Sequence, residues 1–529
     1  MFKDQRMTNS YWTSENEIKS SLYKVNFDDD IQRYGGMPLF AEAGAVFIDP
    51  TDTHSLIIGS TGSKKTRLMG MPALCLYARA GESFIATDPK AELYERTLPI
   101  LKERGYRIFI FNLRDPMHSN GWNPLIVPYR LYHNGQRDKA IELVNDMAGC
   151  IVKEGYYERD PYWHNNASDM LAGLLLILYE CAQENEINFK SLRALRTQAF
   201  RILRENVPFI KENFLNYINT ASFINSLLGG TAEVCDSTRG CIVSVFDQAM
   251  RPFFSQDNLI DILSANDLDM GEIGKEKTAV FLIIPDENTL YHRLISVFIK
   301  QCYTEFIIEA QKQQSKSLPR RVNFLLDEFS SLPRISDFPS MITASRSRNI
   351  RFNLIVQSIN QLRDRYGGQA ETIRGNCENW VFLHSRELSI LDELVQLSGM
   401  RNHDEPLVST SLLQTLDKDK GEAFIMHKRK HPYIANLPDV DSYPGIAPNG
   451  VFVEYPRNSC KAEAVFDFDK FCRKNSTFFL SNLFSGKTHE EIRNINSDEE
   501  ERYYMFNGGD DGDSITVEPN FTSRVPDDE

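Results

Sequence analysis

The sequence contains no long apolar run, no closely paired cysteines and no surplus of positive charge, and each absence removes a class of protein. A bilayer-spanning helix takes about 20 consecutive apolar residues. The best candidate, residues 171–179, falls far short of that. Residues 1–26 are polar and mixed in charge, without the apolar stretch of a secretory leader. On its own the chain is therefore expected to be soluble. The nine cysteines are scattered, with no C-x-x-C pair and no histidines at ligand spacing, so neither a zinc site nor a disulfide framework is expected. Reduced, buried thiols are the simpler reading. A net charge of −14 argues against a protein that coats nucleic acid over its whole surface. It leaves room for a local basic channel, because acidic residues crowd the stretch after Lys487.

What is present is ordinary globular composition. With 529 residues, 42% hydrophobic and 25% charged, the chain is long enough for a large core and more than one domain. Residues 1–45 show little periodicity and read as a peripheral N-terminal segment. Short apolar runs then alternate with helical stretches. Residues 55–58, 83–87 and 107–111 read as strands, and 67–79 and 93–104 as helices. This alternation predicts a parallel α/β sheet covered by helices on both faces.

From residue 139 to about 275 helical patterns dominate, which predicts an all-α domain inserted into the α/β domain. Strands resume at 279–284, 322–326, 352–356 and 380–383, so residues 46–138 and 276–460 are read as two parts of one nucleotide-binding domain. Residues 461–529 read as an acidic, largely flexible tail, either a solvated end or a docking arm for a basic partner.

The most informative segment is Gly59-Ser60-Thr61-Gly62-Ser63-Lys64-Lys65-Thr66, placed directly after a strand and before a helix. That context suits a loop whose backbone N–H groups converge on phosphate oxygens, aided by the helix N-terminus. Lys65 is placed to reach the β- and γ-phosphates of ATP, and Thr66 to ligate Mg²⁺. Lys64 stands where the G-x-x-x-x-G-K-[ST] pattern has glycine. It can strain the loop, or point outward and leave it usable.

Asp327 and Glu328 follow the apolar run 322–326, an arrangement that sets Asp327 near the metal and Glu328 near an attacking water. Gln357 ends the next strand, either as a γ-phosphate sensor or as a loop amide. Between residues 335 and 386 lie seven arginines and no lysine. Arg346 is the candidate trans-acting finger, while salt bridging is the simpler reading for the others.

In this order, Gly59 to Thr66, Asp88-Pro89-Lys90-Ala91-Glu92-Leu93-Tyr94, Trp122-Asn123-Pro124-Leu125, Asp160-Pro161-Tyr162-Trp163, Leu326-Asp327-Glu328-Phe329 and Val356-Gln357-Ser358 resemble the type IV coupling proteins of conjugation and secretion systems. The resemblance runs from about residue 45 to about 460. It implies a RecA-like P-loop domain interrupted by an all-α domain, a homo-hexamer around a channel, and ATP with Mg²⁺ held between subunits.

The resemblance further implies that Lys65 and Thr66 serve the phosphates and metal, Asp327 the metal, Glu328 and Gln357 hydrolysis, and Arg346 the neighbouring site. Implied partners are single- or double-stranded DNA, relaxase or effector substrates, and type IV secretion channel components. Contact with the inner face of the bacterial membrane would come only through partners, because the N-terminal membrane segment of many relatives has no counterpart here. Lys64 and Ala91 both replace glycines usual in these motifs. Two rival expectations stand beside the ATP-driven motor: a non-hydrolysing scaffold that recruits substrates, and a hexameric DNA translocase unrelated to secretion.

Overall fold

A computed structural model describes residues 10–475, apart from 31, 154–160, 204–205, 286–288, 403–404, 452 and 459–463. Among the described residues, twelve strands fall into two sheets. The small one contains β1 (Tyr23–Asn26), β2 (Pro38–Glu42) and β3 (Ala45–Ile48) in the order β1-β3-β2, all antiparallel. The large one contains β4 (His54–Gly59), β5 (Ser83–Thr87), β6 (Arg107–Asn112), β7 (Thr278–Ile283), β8 (Val322–Leu326), β9 (Ile350–Val356), β10 (Cys377–His384), β11 (Glu422–His427) and β12 (Tyr433–Asn436). Its order is β12-β11-β10-β4-β9-β8-β5-β7-β6. Every pairing from β10 to β6 is parallel, and β11 and β12 add an antiparallel edge. The fold class is the expected α/β one, with a mostly parallel sheet.

Parallel strands connected by helices are covered on both faces, and their sequences show it. Every residue of β4, β5, β7, β8 and β9 is buried. Alternate side chains go to different cores. Leu56 and Ile58 join one core while Ile57 joins the other, and Ile85 is separated in the same way from Phe84 and Ala86. The second core is closed by helices Met71–Ala80 and Glu92–Glu103, through residues such as Leu74 and Leu98.

Between β6 and β7 the described residues are helical or irregular, with one isolated bridge between Ile202 and Pro208. The helices open at Ile126–His133, ahead of the boundary at 139 read from sequence. Trp122-Asn123-Pro124-Leu125 fastens them to the sheet. The Trp122 ring lies 5.3 Å from Phe111 of β6 and 4.9 Å from Phe298. Asn123 Nδ2 donates to Ile187 O at 2.6 Å, and Tyr179 Oη donates to Leu125 O at 3.0 Å.

The structure departs from the sequence reading at both ends. Residues 1–45 are not merely peripheral, because β1, β2 and the start of β3 form a sheet whose Leu39 and Val46 enter the second core. At the other end, Phe466 and Phe468 are buried against the helical layer, where Gln198 Oε1 accepts from Phe468 N at 2.7 Å. Helix Phe468–Lys474 is therefore packed, and a flexible tail cannot begin at 461. Residues 476–529, where most of the acidic tail was read, lie outside the described residues, as do Asp160 and Cys460.

Candidate functional site

Four adjacent parallel strands, in the order β4-β9-β8-β5, send their carboxyl ends to one edge of the sheet. Ligands of open α/β sheets sit outside such ends. Gly59 ends β4, Gln357 follows β9, Asp327 follows β8 and Asp88 follows β5. The phosphate loop and Asp327 are two strands apart, about 10 Å at ordinary strand spacing. Side chains on this edge enclose a cleft of about 320 Å³ lined by Ser60 to Thr66, Asp88, Lys90, Asp327, Glu328 and Gln357.

The loop closes tightly. Ser60 N donates to His384 O at 2.8 Å and Ser63 N to Ser60 O at 3.2 Å. A Cβ on Gly59 would lie 2.4 Å from Ser63 Oγ, so the glycine lets the Ser63 hydroxyl sit close to the backbone of the loop. Lys64 has φ +62°, the left-handed conformation that the missing glycine would adopt freely. For a residue with a Cβ this costs roughly 1–2 kcal/mol. The Lys64 side chain nevertheless points away from the cleft, with Nζ 2.8 Å from Asp419 Oδ1. Both alternatives left open by the sequence thus hold together: the backbone is strained, and the loop keeps its shape. Ala91, the other replaced glycine, is likewise at φ +63°.

Lys65 is buried, with Nζ donating to Gly59 O at 2.7 Å. Burial pulls its ammonium below the usual lysine range, against the attraction of Asp327 and Glu328. Across the cleft, Asp327 Oδ1 accepts from Glu328 N at 2.9 Å, and Asp327 O accepts from Thr87 Oγ1 at 2.9 Å. Glu328 is left-handed at φ +56°, the kind of local strain that aims a side chain. Gln357 Nε2 donates to Glu328 Oε1 at 2.5 Å, and Gln357 Oε1 accepts from Thr61 Oγ1 at 3.2 Å. One amide therefore connects the phosphate loop to the carboxylate pair.

Burial, then repulsion from Glu328, raises the Asp327 carboxyl to about 6. Asp88, 1% exposed, is pushed up to about 7 by burial, although the N–H groups of Tyr94 and Leu93 oppose this. Asp88 Oδ2 accepts from Tyr94 N at 2.9 Å, while Oδ1 and the buried Ser63 Oγ have no hydrogen-bond partner among the described residues. Crowded carboxylates with an orphaned oxygen suit a divalent cation, and Lys65 and Lys90 suit an anion beside it. The donor set fits a metal–phosphate ligand: Thr66 and Asp327 for the metal, loop N–H groups and Lys65 for phosphate.

Gly59 to Thr66, Asp327, Glu328 and Gln357 are thus brought together. Arg346 is not. It precedes β9, at the opposite end of the sheet from Gln357, and pairs with Glu378 Oε1 at 2.7 Å. Most of its neighbours in the arginine series are structural. Arg351 donates to Gly35 O and Thr51 O, and Arg374 pairs with Glu371 and Glu393.

The sequence reading assigned no role to Asp88, Lys90 or His292. His292 borders a further 230 Å³ that continues the cleft past Glu328 and Gln357. The Asp88-Pro89 strand stop marked the position. Its closeness to Asp327 follows from β5 pairing with β8, which no local pattern encodes.

The family model described as "Type IV secretory system Conjugative DNA transfer" matches residues 1–399. Among curated proteins, the chain is 22% identical over 367 residues to the protein VirD4 of Rhizobium radiobacter, covering 67% of this chain and 49% of that protein. It is 20% identical over 343 residues to the conjugal transfer protein TraG of Rhizobium radiobacter, covering 62% and 49%. The chain spans about half the length of the curated relatives it matches. Among solved structures, the plasmid coupling protein TrwB in complex with the non-hydrolysable ATP analogue ADPNP aligns with a TM-score of 0.59 at 15% identity, covering 84% of this chain and 96% of that one. TrwB in complex with ADP and Mg²⁺ aligns with a TM-score of 0.56 at 14% identity, covering 85% and 97%. At these identities the likeness establishes a shared fold.

Proposed function

The chain belongs to the type IV secretory system conjugative DNA transfer family, and we propose that it serves there as an ATP-hydrolysing coupling protein. It brings DNA with its relaxase, or protein effectors, to the channel components of a secretion or conjugation machine. The observation that carries this reading is the single cleft in which the Gly59–Thr66 loop faces Asp327, Glu328 and Gln357. The relatives named VirD4 and TraG support the transport role. The TrwB complexes with an ATP analogue and with ADP and Mg²⁺ support the nucleotide.

In this reading the loop N–H groups and Lys65 hold the β- and γ-phosphates, and Thr66 and Asp327 hold Mg²⁺. The bound metal supplies charge neutralisation on the phosphate oxygens. Glu328 accepts a proton from the attacking water, and Gln357 keeps its carboxylate aimed. Loss of the γ-phosphate frees Thr61 and Gln357 to rearrange, which gives the cycle a mechanical output. Arg346, 43% exposed at the far end of the sheet, would reach the site of a neighbouring subunit in a homo-hexamer. No helix among the described residues is long and apolar enough to cross a membrane. We propose that contact with the inner face of the bacterial membrane comes through partners.

The test is DNA-stimulated ATP turnover by the purified protein, with Lys65→Ala and Glu328→Gln as controls. Turnover well above both controls supports the motor. Turnover at the level of the controls overturns it in favour of a recruiting scaffold.

A further inference from the structure

The segment that carries Glu328 is held along one helix. Helix Thr289–Lys312 follows β7, and positions 292, 296, 300 and 303 fall on one of its faces. That face meets residues 331–341 in the same order along both. His292 Nδ1 lies 3.3 Å from Ser331 O, and Ser296 Oγ donates to Pro333 O at 3.0 Å. Lys300 Nζ donates to Asp337 Oδ2 at 3.2 Å, and Tyr303 Oη to Met341 O at 3.3 Å. A carbonyl only accepts, so Nδ1 of His292 carries the proton in its contact. Ser331 N in turn donates to Glu328 O at 2.8 Å, which closes the turn that Glu328 begins.

The adjoining face of the same helix meets the helical layer. Arg293 Nη1 donates to Ile151 O at 2.5 Å and Gln301 Nε2 to Pro124 O at 2.7 Å. Lys300 serves both faces. Besides Asp337 it pairs with Glu142 at 3.4 Å and Asp146 at 3.3 Å, both from helix Arg137–Val152. One ammonium, on a residue 8% exposed, thus joins carboxylates from the two sides. Asp337 is left-handed there at φ +56°, as Glu328 is. Beside this junction Asp146, Val297, Gln301 and Ile335 border a space of about 320 Å³, which gives the two sides room to shift.

We propose that helix Thr289–Lys312 couples the helical layer to the hydrolytic carboxylate, with Lys300 as the junction and His292 and Ser296 as positioning residues for Glu328. This rests on the ATP-hydrolysis reading above. A shift of helix Arg137–Val152 pulls Lys300 through Glu142 and Asp146, and Lys300 pulls Asp337. The contacts at 296 and 292 carry that change to the turn that aims Glu328. A substrate seated on the helical layer thereby sets turnover, and nucleotide sets the layer in return, because coupling between two sites is reciprocal.

The experiment is amide hydrogen exchange of the full chain with and without Mg²⁺ and ADPNP, beside ADPNP affinity and ATP turnover. In the unmodified protein ADPNP is expected to slow exchange both in residues 328–337 and in helix Arg137–Val152. Lys300→Met is expected to abolish the response of that helix, with the response of 328–337 kept and ADPNP affinity within a few-fold. Glu142→Gln/Asp146→Asn, a milder break that keeps the Lys300–Asp337 pair, is expected to do the same. His292→Leu is expected to lower turnover about tenfold at unchanged ATP affinity, through misplacement of Glu328. His292→Asn, whose amide N–H replaces that of Nδ1, is expected to restore most of it. A helix that ignores ADPNP in the unmodified protein, or still answers it in both junction variants, overturns the proposal. So does native turnover in His292→Leu. Failure of the unmodified protein to bind ADPNP overturns instead the nucleotide reading on which it rests.

Discussion

Gln357, at the end of β9, donates its side-chain N–H to the carboxylate of Glu328, at the end of β8, with 2.5 Å between the heavy atoms. Its carbonyl meanwhile accepts from Thr61 in the phosphate loop. A single side chain therefore reports on both halves of the cleft. Gln357→Ala is expected to lower ATP turnover by more than tenfold while leaving ATP affinity within a few-fold. Glu328→Gln, which removes the proton acceptor, is expected to cost about 10²–10⁴ in turnover. Steady-state turnover beside equilibrium nucleotide binding separates the two effects.

Gly59 makes a sharper demand on the loop. An added methyl meets Ser63 Oγ at 2.4 Å, with the Lys65 side chain close behind at 3.1 Å. Gly59→Ala is expected to weaken nucleotide binding while circular dichroism shows an intact fold, because the Ser63 hydroxyl and the Lys65 stem have to shift within the loop.

Ala91 is at φ +63°, and its methyl packs at the edge of the second core. Relief of the left-handed penalty, about 1–2 kcal/mol, outweighs the roughly 0.5–1 kcal/mol of added chain entropy in the unfolded state. Ala91→Gly is therefore expected to be neutral to stabilising by up to about 1 kcal/mol, read from the denaturant midpoint.

Acid sensitivity has a specific source. His54 is fixed as a neutral ring: Nδ1 accepts from Phe352 N at 3.0 Å and Nε2 donates to Ile342 O at 2.8 Å. Burial lowers its pKa from 6.5 to about 3, and burial likewise lowers that of His427 to about 4. Below pH 6.5 the unfolded chain takes up protons that the folded chain refuses. Stability is thus complete above pH 6.5 and falls as pH drops towards 3, by up to about 1.4 kcal/mol per pH unit for each ring. His54→Asn is expected to be less stable at pH 7 and to show a shallower decline between pH 6 and 4, measured by urea unfolding at each pH.

Trp122 is 1% exposed between Phe111 and Phe298. Trp122→Ala removes the ring that seats the helical layer on the sheet and is expected to cost about 3–5 kcal/mol of stability. Thermal unfolding should lose the helical layer first, seen as two transitions where the native chain shows one.

Much of the site was legible because its parts are local. Gly59, Asp88-Pro89, Asp327 and Gln357 each end an apolar run, and strand ends are where parallel sheets place chemistry. Lys64 departs from the glycine pattern and Ala91, a milder change, from the glycine that the family resemblance implies; both prove left-handed. What the pattern could not supply was sheet order. Asp88 comes beside Asp327 only because β5 pairs with β8, and Arg346 recedes from the cleft only because it precedes β9 instead of following it. The small strands escaped for another reason. β1 and β3 have four residues each, too few for a period to register, although Gly44 at φ +73° marks the hairpin between β2 and β3. The edge strand β12 is short in the same way, at four residues.

The account depends on a strained loop that still holds a triphosphate, and calorimetric titration of the purified chain with ATP tests that directly. The prediction is saturable binding that requires Mg²⁺, is lost in Lys65→Ala, and loses its metal dependence in Asp327→Ala. Absence of saturable binding at millimolar ATP, or binding indifferent to Lys65→Ala, would contradict it.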